Sequence, residues 1–217
     1  MSRRASPGPS FDKPFFLRRP DMKHRIGSTP PALLALLCAA GAGCAGTQVA
    51  LPVPVTARAA AITLVKGGHP LEERKPLSAA NASTLRQINA YRAQGANCGG
   101  QVMEPADALV WNDALGRAAE GHVAYLARLG DLTHTGADGS SVGQRITAQG
   151  FVWGAAGENA AAGKDSVTGT LAQWMSSPGH SRNMMGKQFR EVAVARQDNS
   201  GSAYKHYWVM VLGTPMR

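Results

Sequence analysis

Three ionisable side chains in the second half of the 217-residue sequence stand beside residues that permit sharp turns. His180 follows the pair Pro178-Gly179, in which proline ends a helix and glycine allows a tight turn. Glu158 follows Gly157 in the same manner, and His134 lies in a polar loop. A histidine and a carboxylate that each stand beside such a residue suggest one site.

Each of these side chains also has a structural interpretation. His134 could hydrogen-bond a loop carbonyl at the surface. Glu158 could cap the turn that follows it, because a carboxylate is favourable near exposed backbone N–H groups. His122 projects among apolar neighbours, so we predict a core histidine there rather than a ligand. Asn159 and Asn183 are expected to tie the two corners to neighbouring backbone.

The sequence does not point to a catalytic nucleophile. We expect no strand-to-helix nucleophile elbow, and no His-Glu-x-x-His helix occurs. Ser176 and Ser177 lie near His180 in sequence, but proximity at a helix end does not orient a hydroxyl. Cys98 lies in a glycine-flanked loop with no basic neighbour in sequence to lower the pKa of its thiol.

Apolar spacing and capping residues predict four helices before the C-terminal segment. The first covers residues 79–93, and the second covers 113–129 with Asn112 as its cap. A short third helix starts at Ser140 or Ser141 and reaches Ile146, and a fourth starts at Asp165 or Ser166 and ends at Ser177.

The strands are predicted from alternating and β-branched residues. A short strand is expected at residues 151–153, before the Glu158 corner. Residues 191–196 and 204–212 are expected to pair as a hairpin through the turn at 198–202. Helices that precede a terminal antiparallel hairpin indicate the α+β class.

The N-terminal residues read as a leader rather than as part of a domain. Residues 1–21 show no apolar period, and we interpret Met22 as the true start. Residues 22–44 have a basic start and an apolar stretch too short to span a membrane, which is typical of a secretory signal. Cys44 ends this stretch as the lipidated cysteine of a bacterial lipoprotein would. Ordinary cleavage after Ala42 is the alternative.

The remaining chain divides into a linker and one domain. Residues 45–78 contain several prolines and a Gly-Gly pair without a sustained period, and are predicted to be a linker. Residues 79–217 suffice for a core of their own. Residues 1–43 hold seven Lys or Arg and two Asp or Glu, which gives +5 of the net charge of +9. The domain therefore lacks the basic patch that nucleic-acid binding requires.

Four motifs stand in one order along the domain: Leu85 to Arg92, Leu132-Thr133-His134, Gly157-Glu158-Asn159 and Trp174 to Asn183. In this order they resemble the CAP superfamily, named for cysteine-rich secretory proteins, antigen 5 and pathogenesis-related proteins. The match is to its bacterial SCP-like branch and covers roughly Ala79 to Arg217.

The resemblance implies a three-layer α-β-α sandwich with a central antiparallel sheet. It also implies that His134, Glu158 and His180 share a central cleft. Two imidazoles and one carboxylate there would suit Zn²⁺, with a fourth position open to water or a ligand. The same three groups could instead form a hydrogen-bonded cluster. Eukaryotic members complete this set with a second Glu, for which Ser177 is the nearest equivalent here, so an activity that needs two Glu is in doubt. Many bacterial relatives pair a cysteine like Cys98 with a second one, where this chain has Ser181.

The resemblance leaves three functions open. The first is an exported, envelope-associated or secreted protein whose His/Glu cleft binds a small molecule, a lipid, a metal ion or a partner. The second is a zinc-dependent hydrolase in which His134 and His180 bind Zn²⁺ and Glu158 acts as ligand or general base. The third is a structural envelope module with a vestigial cleft. We expect a monomer that is anchored in the periplasm or outer membrane, or secreted, and that binds no nucleic acid.

Overall fold

The computed structural model describes residues 76–216 together with the backbone pairing of residues 15–18. Five α-helices lie in these residues: α1 (Ala79–Gln94), α2 (Asp113–Leu129), α3 (Val142–Ala148), α4 (Val167–Ser176) and α5 (Pro178–Met185). The predicted signal at 22–44, its Cys44, and the linker as far as residue 75 lie outside the described residues. They stay predictions, as does the assignment of Met22 as the start.

Five strands form the main sheet, in the order β1 (Phe15–Arg18), β5 (Trp153–Ala162), β7 (Lys205–Pro215), β6 (Glu191–Asn199) and β4 (Val110–Trp111). All neighbours pair antiparallel except β4, which runs parallel to β6. Two further strands, β2 (Ala96–Cys98) and β3 (Gln101–Met103), form a separate hairpin. The sequence did not predict β1, β4 or this hairpin.

The sheet lies between two helical layers. Alternate residues of a strand point to opposite faces, and β7 follows this rule. Val209 and Val211 pack with residues of α2 and α3, whereas Met210 and Leu212 pack with residues of α1, α4 and α5. The predicted α+β class and the α-β-α sandwich are therefore confirmed.

Local capping explains where the helices begin. The Asn112 side chain accepts hydrogen bonds from the N–H groups of Ala114 and Leu115 at the start of α2. Ser141 and Gln144 form a reciprocal capping box at α3, which satisfies two backbone donors that the helix leaves open. Ser166 caps α4. These starts agree with the sequence-based predictions.

The prediction of a corner at Glu158 was wrong. Glu158 lies inside β5, a ten-residue strand that replaces the predicted short strand at 151–153. Gly157 is needed for close packing rather than for a turn, because a Cβ atom there would lie 2.6 Å from Cζ of Phe189. Glu158 therefore does not cap a turn, and a strand holds its side chain instead.

A buried arginine fixes the position of α5. Arg92 of α1 is fully buried, and its guanidinium donates hydrogen bonds to the carbonyl oxygens of Asp107, Met184 and Gly186. Burial, and then the charge of Arg190, lower the pKa of Arg92 to about 10. The side chain still carries its charge at neutral pH, and its hydrogen bonds link α1 to the end of α5.

Candidate functional site

Glu158 is the centre of the candidate site. Its side chain is fully buried on the face of β5 that packs against α2 and α3. Arg145 of α3 donates to its Oε2 at 2.5 Å, and His134 Nδ1 donates to its Oε1 at 2.9 Å. The Nε2 atom of His122, on α2, lies 3.5 Å from the same Oε1. One buried carboxylate is thus surrounded by a guanidinium and two imidazoles, which we call the Glu158 cluster.

The cluster also fixes the loop that carries His134. Arg145 Nη1 donates to the carbonyl oxygens of His134 and Ser140, at 3.2 and 2.7 Å. His122 Nε2 lies 2.8 Å from the carbonyl oxygen of Thr133. Because a carbonyl only accepts, Nε2 of His122 carries a proton. These hydrogen bonds attach the loop between α2 and α3 to both helices.

Burial and charge act in opposite directions on Glu158. Burial alone would raise the pKa of this carboxyl, but the His134 hydrogen bond and the Arg145 charge outweigh burial and hold the pKa below its ordinary value. Burial lowers the pKa of His122, against the attraction of Glu158. The cluster at neutral pH thus contains a carboxylate, a guanidinium and a neutral His122.

His180 belongs to another layer of the fold. It is on α5, the layer that packs against the opposite face of the sheet, and it is 7% exposed. Asn159 Nδ2 donates to the His180 carbonyl oxygen, and Asn183 Nδ2 donates to the carbonyl of Glu158 and to Asn159 Oδ1. The two asparagines join α5 to β5, as expected of them from the sequence.

The structure therefore brings His134 and Glu158 into contact. It places His180 in α5, the helix that Asn159 joins to β5. A zinc site fits this arrangement poorly, because Arg145 and His134 already occupy the two oxygens of Glu158. In residues 76–216, no group of three His, Cys, Asp or Glu side chains has the arrangement of a metal site. Zinc binding by His134 and His180 stays a prediction.

An open cleft of about 590 Å³ lies beside the cluster. Its walls are α2, α3 and the loop at residues 136–140, and His122 and Arg145 belong both to the cleft and to the cluster. The α2 wall presents Arg117, Gly121, Tyr125 and Arg128. These residues follow one another at spacings of four, four and three, so they share one face of the helix. A cavity of this size suits a small organic ligand.

The serine hydroxyls near the cleft have structural partners. Residues 139–143 match the Gly-x-Ser-x-Gly pattern, with Ser141 at the centre. Ser141 follows a loop rather than a strand. Its hydroxyl donates to Gln144 Oε1 and accepts from Gln144 N–H as the cap of α3. Ser141 therefore does not have the setting of a nucleophile elbow.

Cys98 and Ser181 lie where the β2–β3 hairpin meets α5. Both residues are fully buried, and Arg182 Nη1 donates to the Cys98 carbonyl at 3.2 Å. A Cβ atom at Gly99 would lie 2.5 Å from Pro178, so the hairpin packs directly on the start of α5. Cys98 is a free thiol in the described part of the chain.

Sequence reasoning missed Arg145 and did not connect His122 with Glu158. Arg145 lies in the short third helix that the sequence predicts, and no local pattern connects it to Glu158, thirteen residues later. His122 is a buried histidine as predicted, but it is also part of the Glu158 cluster. One sequence feature could have indicated both residues, since each lies in a predicted helix next to the loop that carries His134.

Comparison with known proteins identifies the family. Residues 85–212 match the family model described as CAP, the cysteine-rich secretory protein family. The match spans more than half of the chain, so the chain belongs to the CAP family. No curated protein matches the sequence. None of the helices in the described residues is long and apolar enough to cross a membrane.

Comparison with solved structures finds similar chains at low sequence identity. An outer surface protein from Borrelia burgdorferi is 18% identical, with a TM-score of 0.48, and the match covers 62% of this chain and 94% of that one. An extracellular SCP-domain protein from Bacillus anthracis is 20% identical, with a TM-score of 0.46, over 64% of this chain and 45% of that one. The venom allergen-like protein 4 of Schistosoma mansoni is 12% identical, with a TM-score of 0.44, over 65% and 92%.

Proposed function

We propose that this CAP-domain protein is an exported binding module that holds a small molecule in the cleft between α2 and α3. The observation that carries the proposal is the open cleft next to a buried, fixed charge cluster. Binding sites typically combine a preformed cavity with a few well-placed polar groups. Here His122 and Arg145 of the Glu158 cluster line the cavity, and their hydrogen bonds to Thr133 and Glu158 hold them in place.

Binding is favoured over hydrolysis by the state of Glu158. A general base needs a lone pair that can reach a water or substrate proton. Both oxygens of Glu158 already accept hydrogen bonds, and its side chain has no exposed surface. Its lowered pKa also makes it a weaker base than an ordinary glutamate. The carboxylate therefore serves to position Arg145 and the His134 loop.

Export is supported by the leader that the sequence predicts at residues 22–44. Lipidation at Cys44 would hold the domain at a membrane, and ordinary cleavage would release it. Labelling with a fatty acid distinguishes the two, since Cys44→Ala removes the label from a lipoprotein and has no effect on a secreted protein. Either result leaves the cleft free to bind its ligand outside the cytoplasm.

The binding function is tested by closing the cleft. Gly121 is exposed on α2, and a Cβ atom there meets nothing within 4 Å, so Gly121→Leu places a side chain in the cleft without disturbing the core. Ala172→Leu adds the same side chain to an exposed position on α4, away from the cleft.

We expect native mass spectrometry of the chain purified from its own cells to detect a bound small molecule. It should remain in the Ala172→Leu variant and be lost from Gly121→Leu. A ligand retained equally by both variants would move the binding site elsewhere. Protein that carries no ligand and takes up none from an extract of its own envelope would favour the structural-module alternative.

A further inference from the structure

The outer edge of β5 is covered by a strand from the N-terminal segment. Residues 15–18 form β1 and pair antiparallel with residues 155–158 of β5. This strand precedes the leader that the sequence predicts at residues 22–44. A start at Met22, or cleavage of the leader, would remove residues 15–18 from the processed chain. The edge of β5 that they cover would then be open.

The paired segment of β5 lacks the charged side chains that usually protect a free sheet edge. Such protection is needed because the unpaired N–H and C=O groups of an edge can pair with another strand. Residues 155–157 are Ala-Ala-Gly, and the side chain of Glu158 is buried in its own cluster. On β6, near the other end of the sheet, Arg196 and Asp198 stand exposed beyond the short pairing with β4. The composition of β5 therefore suits an edge that a partner strand covers.

The register shows which backbone groups of β5 face this edge. Directly after β5, the N–H of Gly163 donates to the carbonyl oxygen of His206, in register with the pairing of β5 and β7. Alternate residues of an antiparallel strand bond to the same neighbour, so the odd-numbered residues of this ladder bond to β7. Ala156 and Glu158 therefore turn their N–H and C=O groups toward β1. The hydrogen bond from Asn183 to the carbonyl of Glu158 agrees with this assignment, because it comes from α5 and not from β7.

We propose that this edge is a peptide-binding site, at which an extended peptide rich in apolar residues adds to the sheet as an antiparallel strand. In strand addition the main-chain hydrogen bonds supply the affinity, and here Ala156 and Glu158 offer them. The sequence Phe-Phe-Leu-Arg of residues 15–18 gives the chemistry of an occupant that fits the register, which is apolar and free of proline. In the unprocessed chain β1 occupies the site, and in the processed chain the site is open to a peptide of another protein.

The peptide site is separate from the cleft between α2 and α3, because none of the residues that line that cleft belongs to β5. Its occupant is also of another class, a polypeptide strand rather than a small molecule. The inference therefore does not rest on the proposed binding function, and the failure of one would leave the other standing.

The test vacates the site in the full chain and offers it a labelled peptide. Leu17 lies opposite Ala156, so its N–H faces β5, whereas the N–H of Phe16 faces away. Leu17→Pro should release β1, because an edge strand tolerates proline only where the nitrogen faces solvent. Phe16→Pro is the matched control and should keep β1 in place. The probe is a fluorescent peptide of residues 11–20, and fluorescence anisotropy measures its binding.

We expect the peptide to bind Leu17→Pro at least about tenfold more tightly than wild type or Phe16→Pro, because in those two chains the attached strand competes intramolecularly for the site. Two N-methylated peptides extend the test, since each lacks one N–H group and both have the same composition. N-methylation at Leu17 of the peptide should abolish binding. N-methylation at Phe16 should preserve it.

Amide hydrogen exchange followed by NMR locates the site. The N–H groups of Ala156 and Glu158 should exchange slowly in wild type, faster in Leu17→Pro, and slowly again once the peptide is bound, because exchange requires the hydrogen bond to open. The N–H of Gly157, which faces β7, is the internal control and should stay slow throughout.

Four results would overturn the inference. Leu17→Pro with fast exchange at Ala156 and Glu158 that binds no peptide would show an open edge that accepts no strand. Equal loss of binding by both N-methylated peptides would show contact without strand addition. Slow exchange in a monomeric Leu17→Pro chain without peptide would show that β1 is not what covers the edge. A Leu17→Pro dimer in sedimentation, with both N–H groups protected and no peptide bound, would assign the edge to a second copy of the chain.

Discussion

Glu158 depends on its neighbours for its charge. A buried carboxylate without partners would take up a proton rather than stay ionised. Arg145 and His134 prevent this by direct hydrogen bonds, at 2.5 and 2.9 Å. Arg145 depends on Glu158 in turn, because its side chain is only 11% exposed and its positive charge needs the carboxylate. The cluster is therefore sensitive to the loss of any one charge.

We expect Glu158→Gln to lower the free energy of unfolding by about 3–5 kcal/mol at neutral pH, since it leaves Arg145 buried without its counter-charge. The pKa of Glu158 is lowered in the folded chain. Its contribution is therefore fully present above its ordinary pKa of 4.5 and is lost as the pH falls through the lower folded value. Urea unfolding should show the gap between wild type and variant narrowing in acid.

Glu120→Gln is the matched control for this measurement. Glu120 is exposed on α2 and does not line the cleft. A surface substitution of this kind should change the stability by no more than about 0.5 kcal/mol. If Glu158→Gln were as mild as Glu120→Gln, the Glu158 cluster would not carry the ion pair described here.

His122 should make stability depend on pH in a higher range. Its pKa is lowered by burial from 6.5, so the unfolded chain takes up a proton at this residue before the folded chain does. Stability is therefore lost as the pH falls below 6.5. We expect the melting temperature of wild type to fall more steeply between about pH 7.5 and 5.5 than that of His122→Gln. Parallel curves would contradict the neutral state of His122.

The strand β5 depends on small residues for its place in the sheet. Gly157 packs against Phe189, and a Cβ atom there would lie 2.6 Å from the ring. We expect Gly157→Ala to destabilise the fold by about 1–3 kcal/mol, the usual cost of overpacking. Gly121→Ala, in the middle of α2 with open space around its Cβ, should stabilise by about 0.5–1 kcal/mol. Thermal unfolding of both variants tests the pair, and opposite signs are expected.

The hairpin β2–β3 and α5 should accept a covalent link. Cys98 and Ser181 are both buried where these elements meet. We expect Ser181→Cys to form a disulfide with Cys98 and to stabilise the fold by about 2–4 kcal/mol, if the geometry needs no distortion. Mass spectrometry with and without reductant detects the bond. Two free thiols in the oxidised variant domain would show that the two side chains do not face each other.

The helices were predictable because their signals are local. Asn112, Ser141 and Ser166 cap the helices that follow them, and each signal is readable within four residues. The strand β5 was missed because its sequence is mostly alanine and glycine, which are poor strand formers. It is a strand because β7 pairs with it along its length, and such tertiary pairing overrides local preference.

The candidate site was predictable only in part, because its contacts also depend on tertiary packing. His134 and Glu158 came from a family resemblance, and the structure joins them by a hydrogen bond. Arg145 could not be found from sequence spacing, because its contact with Glu158 exists only once α3 packs on β5. The grouping of His180 with these two residues stays a prediction, and His180 lies in α5, whose core residues pack on the other face of the sheet.

The domain as a whole combines a braced interior with an open cleft on one face. Arg92 ties α1 to α5 on one side of the sheet, and the Glu158 cluster ties α2, α3 and β5 together on the other. Polar groups that hydrogen bonds hold in place before a ligand arrives lower the ordering cost of binding, which supports the proposed binding function.

We propose that Glu158 anchors a binding cleft through Arg145 rather than a metal site. A crystal structure of the chain soaked in Zn²⁺, with anomalous data collected at the zinc absorption edge, tests this most directly. We predict no zinc peak at Glu158, an intact pair between Arg145 and Glu158, and ligand density between α2 and α3. A zinc peak bound by His134 and Glu158, with the Arg145 guanidinium displaced from the carboxylate, would contradict the account.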